Sequence, residues 1–312
     1  MRKLLGIALI LACAATAARA QAPRTIVTDV RAAIAKNDLA GGEQLVNGYR
    51  TSKGITPEML EALSWLGRGA LAAKQWKEAE RFAQQTYDLA TAELKKRPLD
   101  QEPRLPIALG AAIEVLAQAG AEQGRRSDAV AFLQSELARY ATTSIQKRLQ
   151  KNVNLLSLDG TKAPALDLSE SLSGSLPTLD SLKGQVVVLF FWAHWCPDCK
   201  QQGPVLERLL ARHKSRGLAV VAPTQRYGYM ARGTDATPAQ EKTYIGQILR
   251  DHYAWMADVP VPLAEVNHQR YGVSTTPTLV IVDRAGLIRS YHPGQMKEEE
   301  LEAALNPLLG TR

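Results

Sequence analysis

The sequence predicts a mixed α/β domain in the C-terminal half of the chain, preceded by an all-helical region. Three observations lead to this prediction. The apolar run 186–191 has the length of a strand and ends in a Cys-x-x-Cys motif with a helical pattern behind it. The apolar runs 218–222 and 278–282 have the length and composition of further buried strands. From about residue 25 to residue 150 the apolar residues recur with helical spacing instead.

The N-terminus has the features of a secretory signal. Arg2 and Lys3 precede an apolar stretch, and Ala18-Arg19-Ala20 fits a cleavage site. We therefore expect residues 1–20 to be a signal peptide and the mature protein to be periplasmic or otherwise exported, and soluble. Residues 10–13 loosely resemble a lipoprotein box, so a lipid anchor at Cys13 stays open as an alternative.

Composition narrows the class of protein. The chain has 312 residues, 46% hydrophobic and 22% charged, which is ordinary for a soluble globular protein and long enough for two domains. The net charge is +7, and three basic residues of the signal reduce it to 7 − 3 = +4 in the mature chain. No Lys/Arg cluster with interleaved aromatic residues is present in the sequence, so we expect no nucleic-acid binding.

Residues 21–152 are expected to form a helical repeat domain. Residues 36–49 align with 74–87 at an offset of 38, and 74–84 align with 124–134 at an offset of 50. Leu66-Gly67, Trp76 and Ala79 resemble the tetratricopeptide pattern of small residues at helix crossings. A plain helical bundle stays open as an alternative. Arrays of helix hairpins usually present a surface to another protein, so a protein partner is expected here.

The second domain is expected to span residues 153–312. Residues 154–158 alternate briefly between polar and apolar, a strand-like pattern, and Asp159-Gly160 marks a turn. After the Cys-x-x-Cys helix and the strand 218–222, residues 227–238 indicate a loop near the site. Thr237 and Gln240 predict a capping box for a helix that runs to about residue 255. The strand 278–282, a turn, an antiparallel strand 287–291 and a closing helix 298–309 complete the domain.

The Cys-x-x-Cys motif predicts a redox-active dithiol. Pro197 suits the first turn of a helix, so Cys196 lies at the helix N-terminus, where a thiolate is stabilised and should be exposed. Cys199 lies one turn further on and can resolve a mixed disulfide. Half of a zinc site and a structural disulfide are the alternatives, but we find no further Cys or His at ligand spacing in the sequence. No metal and no cofactor are expected, because the Cys196–Cys199 disulfide is itself the redox group.

Residues 160–312 resemble the thioredoxin fold, in particular the TlpA/ResA-like branch of extracytoplasmic thiol–disulfide oxidoreductases. The matching motifs lie at residues 160–164, 191–196, 271–278 and 283–286. The resemblance implies a thioredoxin-like mixed central sheet flanked by helices. It also implies protein disulfides as substrates and a membrane-bound thiol protein as electron donor.

The resemblance also assigns residues around the dithiol. It implies that Pro277 is cis and lies against the cysteines, so that the Thr276 backbone can pair with an extended substrate peptide. Trp195 would supply apolar contact area for the substrate, or would simply pack.

The departures from the family pattern concern charge. Asp198 should raise the pKa of Cys196 and make the couple more reducing, whereas a protonated His194 would act in the opposite sense. A solvated loop side chain is the alternative for His194. Phe190 and Gln202 stand where related proteins carry carboxylates, so the proton acceptor for Cys199 stays unassigned.

Two other functions remain open. One is an adaptor whose helical repeats bind a partner while the redox domain is vestigial. The other is a peroxiredoxin-like peroxidase, although that chemistry needs a Thr where this chain has Ala193.

Overall fold

The computed structural model describes residues 24–173 and 176–310. The expected signal peptide, including Cys13, lies outside these residues. Within them, an all-helical N-terminal region is followed by a four-stranded sheet with helices packed on it.

The N-terminal region consists of antiparallel helix hairpins. Between residues 24 and 157 it contains seven α-helices: α1 (Ile26–Ala35), α2 (Leu39–Lys53), α3 (Pro57–Ala72), α4 (Trp76–Glu93), α5 (Arg104–Glu122), α6 (Arg126–Arg139) and α7 (Gln146–Ser157). Each helix from α1 to α6 packs against the next helix in the chain, and α1, α3 and α5 also pack against the helix after that.

The turns of the three hairpins α1/α2, α3/α4 and α5/α6 have the same backbone conformation. The residue that reverses the chain has a positive φ in each case, 59° at Asn37, 57° at Lys74 and 85° at Gly124. The next residue then donates its N–H to the carbonyl oxygen five positions back in all three turns, at 2.9–3.0 Å. The first two turns are 37 residues apart, so the offset of 38 read from the sequence is one residue out of register. The tetratricopeptide likeness itself stays a prediction.

Helix α5 lies at the centre of this region. Among the described helices it is the one whose length and apolar composition would allow it to cross a membrane. However, 61% of its most apolar 18-residue segment is buried inside the structure. Leu105, Leu109 and Ile113 have no exposed surface. The helix therefore serves as the core of the array in this structure.

The C-terminal region is built on a mixed sheet. Its strands are β1 (Val186–Phe191), β2 (Leu218–Val221), β3 (Thr278–Val282) and β4 (Ile288–Pro293), in the order β2-β1-β3-β4. Strand β1 pairs parallel to β2 and antiparallel to β3, which pairs antiparallel to β4. The helices are α8 (Pro197–His213), α9 (Pro238–His252), α10 (Glu265–Arg270) and α11 (Glu298–Leu309).

Alternate residues of β1 enter two separate cores. Val186, Val188 and Phe190 pack with apolar residues of α8, α9 and α11. The other three residues of the strand pack with Tyr271, Val273 and the segment before the sheet. The prediction of a strand buried on both faces is confirmed, as is the thioredoxin-like fold class.

Some sequence expectations need correction. Residues 154–157 belong to helix α7 and do not form a strand, because this end of the helix packs on neighbouring elements, with Asn154 buried and its Nδ2 3.5 Å from the carbonyl oxygen of Arg270. Helix α9 ends at His252 rather than near residue 255, and the short helix α10 was not expected. The predicted domain boundary at 152/153 falls inside α7, and the division into two domains stays a prediction.

Helix α7 joins the helical region to the sheet domain by packing against α10 and β4. At the centre of this contact lies Gly272, with a φ of 58°. A Cβ atom at this position would lie 2.6 Å from the carbonyl carbon of Gln150 and 2.8 Å from the Cα of Lys151. Glycine is therefore required both by the backbone conformation and by the close approach of α7.

We predict that Gly272→Ala lowers the thermal stability of the protein. The positive φ alone costs about 1–2 kcal/mol, and the overlap with the α7 backbone adds to it. We expect Tm to fall by about 5 °C or more, measured by circular dichroism. Gly160→Ala is the matched control, because Gly160 also has a positive φ of 75° but no atom within 4 Å of its virtual Cβ. Equal losses in the two variants would contradict a close-packed joint.

Candidate active site

The two cysteines lie where strand β1 delivers the chain to helix α8. Cys196 is the N-cap of α8, Pro197 occupies the first turn, and the Cys196 Sγ accepts the N–H of Cys199 at 3.0 Å. The cysteines form a disulfide, with their Cα atoms 5.3 Å apart. The predicted placement at a helix N-terminus is confirmed by this geometry.

Both sulfur atoms are more enclosed than expected. Cys196 is only 2% exposed and Cys199 is fully buried. The expectation of an exposed Cys196 is therefore wrong, because the loop before β3 lies against it. Of the two cysteines, Cys196 is the one that keeps a small exposed area.

The loop before β3 carries the predicted cis-proline. The Thr276–Pro277 bond is cis, and the carbonyl oxygen of Thr276 lies 3.4 Å from the Cys196 Sγ. The register of β1 on β3, which pairs Phe191 with Thr278, brings this loop to the end of β1. The structure thus brings Thr276 and Pro277 together with the dithiol.

Trp195 forms the exposed edge of the site. It is 47% exposed, and its ring packs edge-on against Tyr227 at a centroid distance of 5.5 Å. Tyr227 in turn lies 6.3 Å from the ring of Tyr229. The two tyrosines come from the loop after β2 and extend the aromatic surface beside Cys196.

His194 is buried rather than solvated. It is 1% exposed, and its Nε2 lies 3.3 Å from an oxygen of Glu241, which is equally buried. Burial lowers the pKa of His194, against an opposing effect of Glu241. The alternative of a solvated side chain is therefore wrong, and the neutral imidazole is favoured over the protonated form considered from the sequence.

Beneath the dithiol, the positions of the missing carboxylates are occupied by apolar and amide groups. Phe190 is fully buried and lies 6.3 Å from the ring of Tyr253. The buried Gln202 accepts the N–H of Met296 through its Oε1 at 2.8 Å. Gln202 therefore fastens the loop between β4 and α11 to helix α8, and as an amide it cannot accept the proton of Cys199.

Sequence reasoning did not identify Glu241, which lies in the first turn of α9. Its Oε1 accepts the N–H of Tyr227 at 2.5 Å and its Oε2 accepts that of Gly228 at 2.9 Å. A glutamate in the first turn of a helix usually pairs with the helix dipole in solvent. No local signal in the sequence distinguishes this buried carboxylate from that ordinary case.

The arrangement supports thiol–disulfide exchange. One sulfur lies at a helix N-terminus, a second is bonded to it from the next turn, and a cis-proline loop borders the pair. Among residues 24–173 and 176–310, no group of three or more His, Cys, Asp or Glu side chains is placed to hold a metal ion.

Comparisons with known proteins agree with this chemistry. Residues 158–305 match the Redoxin family. The thioredoxin-like protein YneN of Bacillus subtilis (strain 168) is 31% identical over 148 residues, which cover 47% of this chain and 79% of YneN. The thiol-disulfide oxidoreductase ResA of Bacillus anthracis is 26% identical over 149 residues, covering 48% of this chain and 78% of ResA.

A solved structure is also similar to this chain. A thiol:disulfide interchange protein of the thioredoxin family from Chlorobium tepidum TLS has 19% sequence identity and a TM-score of 0.39. The match covers 48% of this chain and 97% of that one.

We predict that Asp198→Asn makes the dithiol couple more oxidising. Asp198 is exposed in the first turn of α8, so its charge acts on a Cys196 thiolate through solvent. Two charges about 4 Å apart in water interact by about 1 kcal/mol, which corresponds to about a fivefold change in the equilibrium constant at most. The measurement is the equilibrium with glutathione at low and at high salt, where screening should reduce the shift. A shift that does not depend on salt would contradict an action through solvent.

Proposed function

The chain belongs to the thioredoxin-like thiol–disulfide oxidoreductases of the TlpA/ResA type, and we propose that it reduces protein disulfides outside the cytoplasm. The observation that carries this proposal is the position of Cys196, which caps α8, lies beside the cis-proline loop and is the less buried of the two cysteines. The features of a signal peptide at residues 1–20 support a location outside the cytoplasm.

The reaction proceeds by two exchanges of sulfur bonds. The thiolate of Cys196 attacks one sulfur of the substrate disulfide, a mixed disulfide forms, and the other substrate sulfur leaves as a thiolate. Cys199 then gives up its proton to water, the thiolate attacks the Cys196 Sγ, and the substrate sulfur atoms take up protons from water as they leave. This second step releases the substrate as a dithiol and leaves the Cys196–Cys199 disulfide, so two electrons have passed to the substrate.

Several neighbours support catalysis in this direction. The N-terminus of α8 stabilises the attacking thiolate, while the acidic Asp198 opposes it and favours a reducing couple. The exposed Trp195 would offer apolar area to the residues that flank the substrate cysteine, and the Thr276 backbone, whose carbonyl oxygen lies 3.4 Å from the Cys196 Sγ, would pair with an extended peptide. Regeneration requires a thiol donor, for which the family implies a membrane-bound protein.

For the helical region we propose binding of a protein partner. A cavity of about 600 Å³ opens between α3, α5 and α7. Its lining combines apolar residues such as Leu71 and Leu155 with the charged side chains of Arg68, Glu122 and Arg126. Apolar area next to charges of both signs suits a polypeptide segment.

We predict that the purified protein reduces insulin disulfides in the presence of dithiothreitol and that Cys196→Ser abolishes this activity. Cys199→Ser should instead accumulate a mixed disulfide, because the resolving sulfur is missing. Mass spectrometry of the trapped species would identify the substrate, with the double Cys→Ser variant as the control.

Other outcomes would assign the alternative functions. An inactive wild-type protein that still captures a partner through the helical region, whether or not the cysteines are present, would be an adaptor. Consumption of peroxide at a rate that depends on Cys196 would point to a peroxidase.

A further inference from the structure

The buried pair of Glu241 and His194 has no role in the mechanism above. Both side chains are 1% exposed, and they face each other at 3.3 Å, from α9 and from the loop that leads to Cys196. The rings of Tyr227, Tyr229 and Tyr244 surround the imidazole edge-on at centroid distances of 5.4–5.6 Å. This enclosure keeps solvent away from an ionisable pair two residues from the nucleophile.

The pair carries one negative charge when the imidazole is neutral. The Glu241 carboxylate accepts the backbone N–H groups of Tyr227 and Gly228, so both of its oxygen atoms are engaged as acceptors. Burial lowers the pKa of His194, and the charge of Lys200 on α8 acts in the same direction. The Lys200 Nζ lies 3.2 Å from the Nε2 of His252. Burial raises the pKa of both Tyr227 and Tyr229, so these two phenols stay neutral and add no charge beside the pair.

His194 lies on the short segment that leads to the nucleophile. The Cα atoms of His194 and Cys196 are at most about 7 Å apart, because only two residues of chain separate them, and the screening length at physiological salt is about 8 Å. The pair is also shielded from solvent, so salt screens it far less than it screens Asp198. A negative pair disfavours a thiolate at Cys196, whereas a pair with a protonated imidazole is neutral and tolerates one.

We propose that Glu241 and His194 are positioning residues that form a proton-linked pair and set the acidity of Cys196; this inference rests on the dithiol function proposed above. When the S–H bond of Cys196 breaks, the thiolate gains the electron pair and His194 gains a proton, so the total charge of the enclosed site is unchanged. The linkage is reciprocal, because a thiolate at Cys196 must also raise the pKa of His194.

The two members of the pair should act in opposite directions when they are replaced. Glu241→Gln keeps an oxygen acceptor for the loop but removes the charge, so the pKa of the Cys196 thiol should fall by about one unit, or about tenfold in thiolate fraction. His194→Phe keeps a ring among the tyrosines but leaves Glu241 uncompensated, so the thiol pKa should rise. Ultraviolet absorbance of the thiolate against pH measures both changes in the full-length reduced protein, and the equilibrium with glutathione should follow the same order.

A matched control variant distinguishes the effect of the Glu241 charge from the effect of losing a side chain that supports the loop after β2. Glu170 is a partly exposed carboxylate that binds Arg226 in the same loop, with an N–O distance of 2.6 Å, and also pairs with Lys242. Glu170→Gln should leave the thiol pKa unchanged. Shifts of the same sign in Glu241→Gln and His194→Phe, or equal shifts in Glu241→Gln and Glu170→Gln, would overturn the proposal.

A measurement on the unmodified protein keeps the test decisive if a variant does not fold. The imidazole of His194, followed by nuclear magnetic resonance, should titrate at a higher pH in the reduced protein than in the oxidised protein. Equal titration in the two states would refute the linkage. Neither measurement needs a protein substrate, so a failure to reduce insulin would count against the proposed function alone.

Discussion

The burial of strand β1 on both faces is the constraint on which the rest of the site depends. All six residues of the strand are buried, so the strand can only lie between two layers with β2 and β3 at its sides. Its register with β3 places Phe191 opposite Thr278. The residues that follow β1 and those that precede β3 must therefore meet at one edge of the sheet, which brings Cys196 beside the cis-proline loop. A slip of one residue would turn every side chain to the opposite face and separate the two loops.

Local sequence patterns were sufficient to predict the strands and helices that position the two cysteines. The apolar runs of β1, β2 and β3 have no polar interruption, and Pro197 and the Thr237/Gln240 capping box mark where α8 and α9 begin. These signals depend on neighbouring residues only, so they can be read without the fold. The cis bond before Pro277 was different, because only the family resemblance implied it.

The features that could not be predicted depend on residues far apart in the chain. Glu241 meets His194 because α9 packs beside the loop that leads to Cys196, and neither residue has a local pattern that distinguishes it from a solvated charge. The burial of Cys196 likewise arises from a loop eighty positions away. Residues 154–157 show the same effect for secondary structure, since the tertiary contacts of α7 outweigh a short alternating pattern.

The contact between α7 and Gly272 has a consequence for how the helical region and the dithiol could work together. The contact is made by backbone against backbone, and Gly272 lies four residues before Thr276, whose carbonyl oxygen faces Cys196. A polypeptide held by the helices would therefore meet the sulfur atoms at a set distance instead of sampling a wide volume on a flexible tether. In such an arrangement any gain in rate comes from effective concentration, which rises steeply for targets whose length matches the gap and vanishes for those that cannot span it.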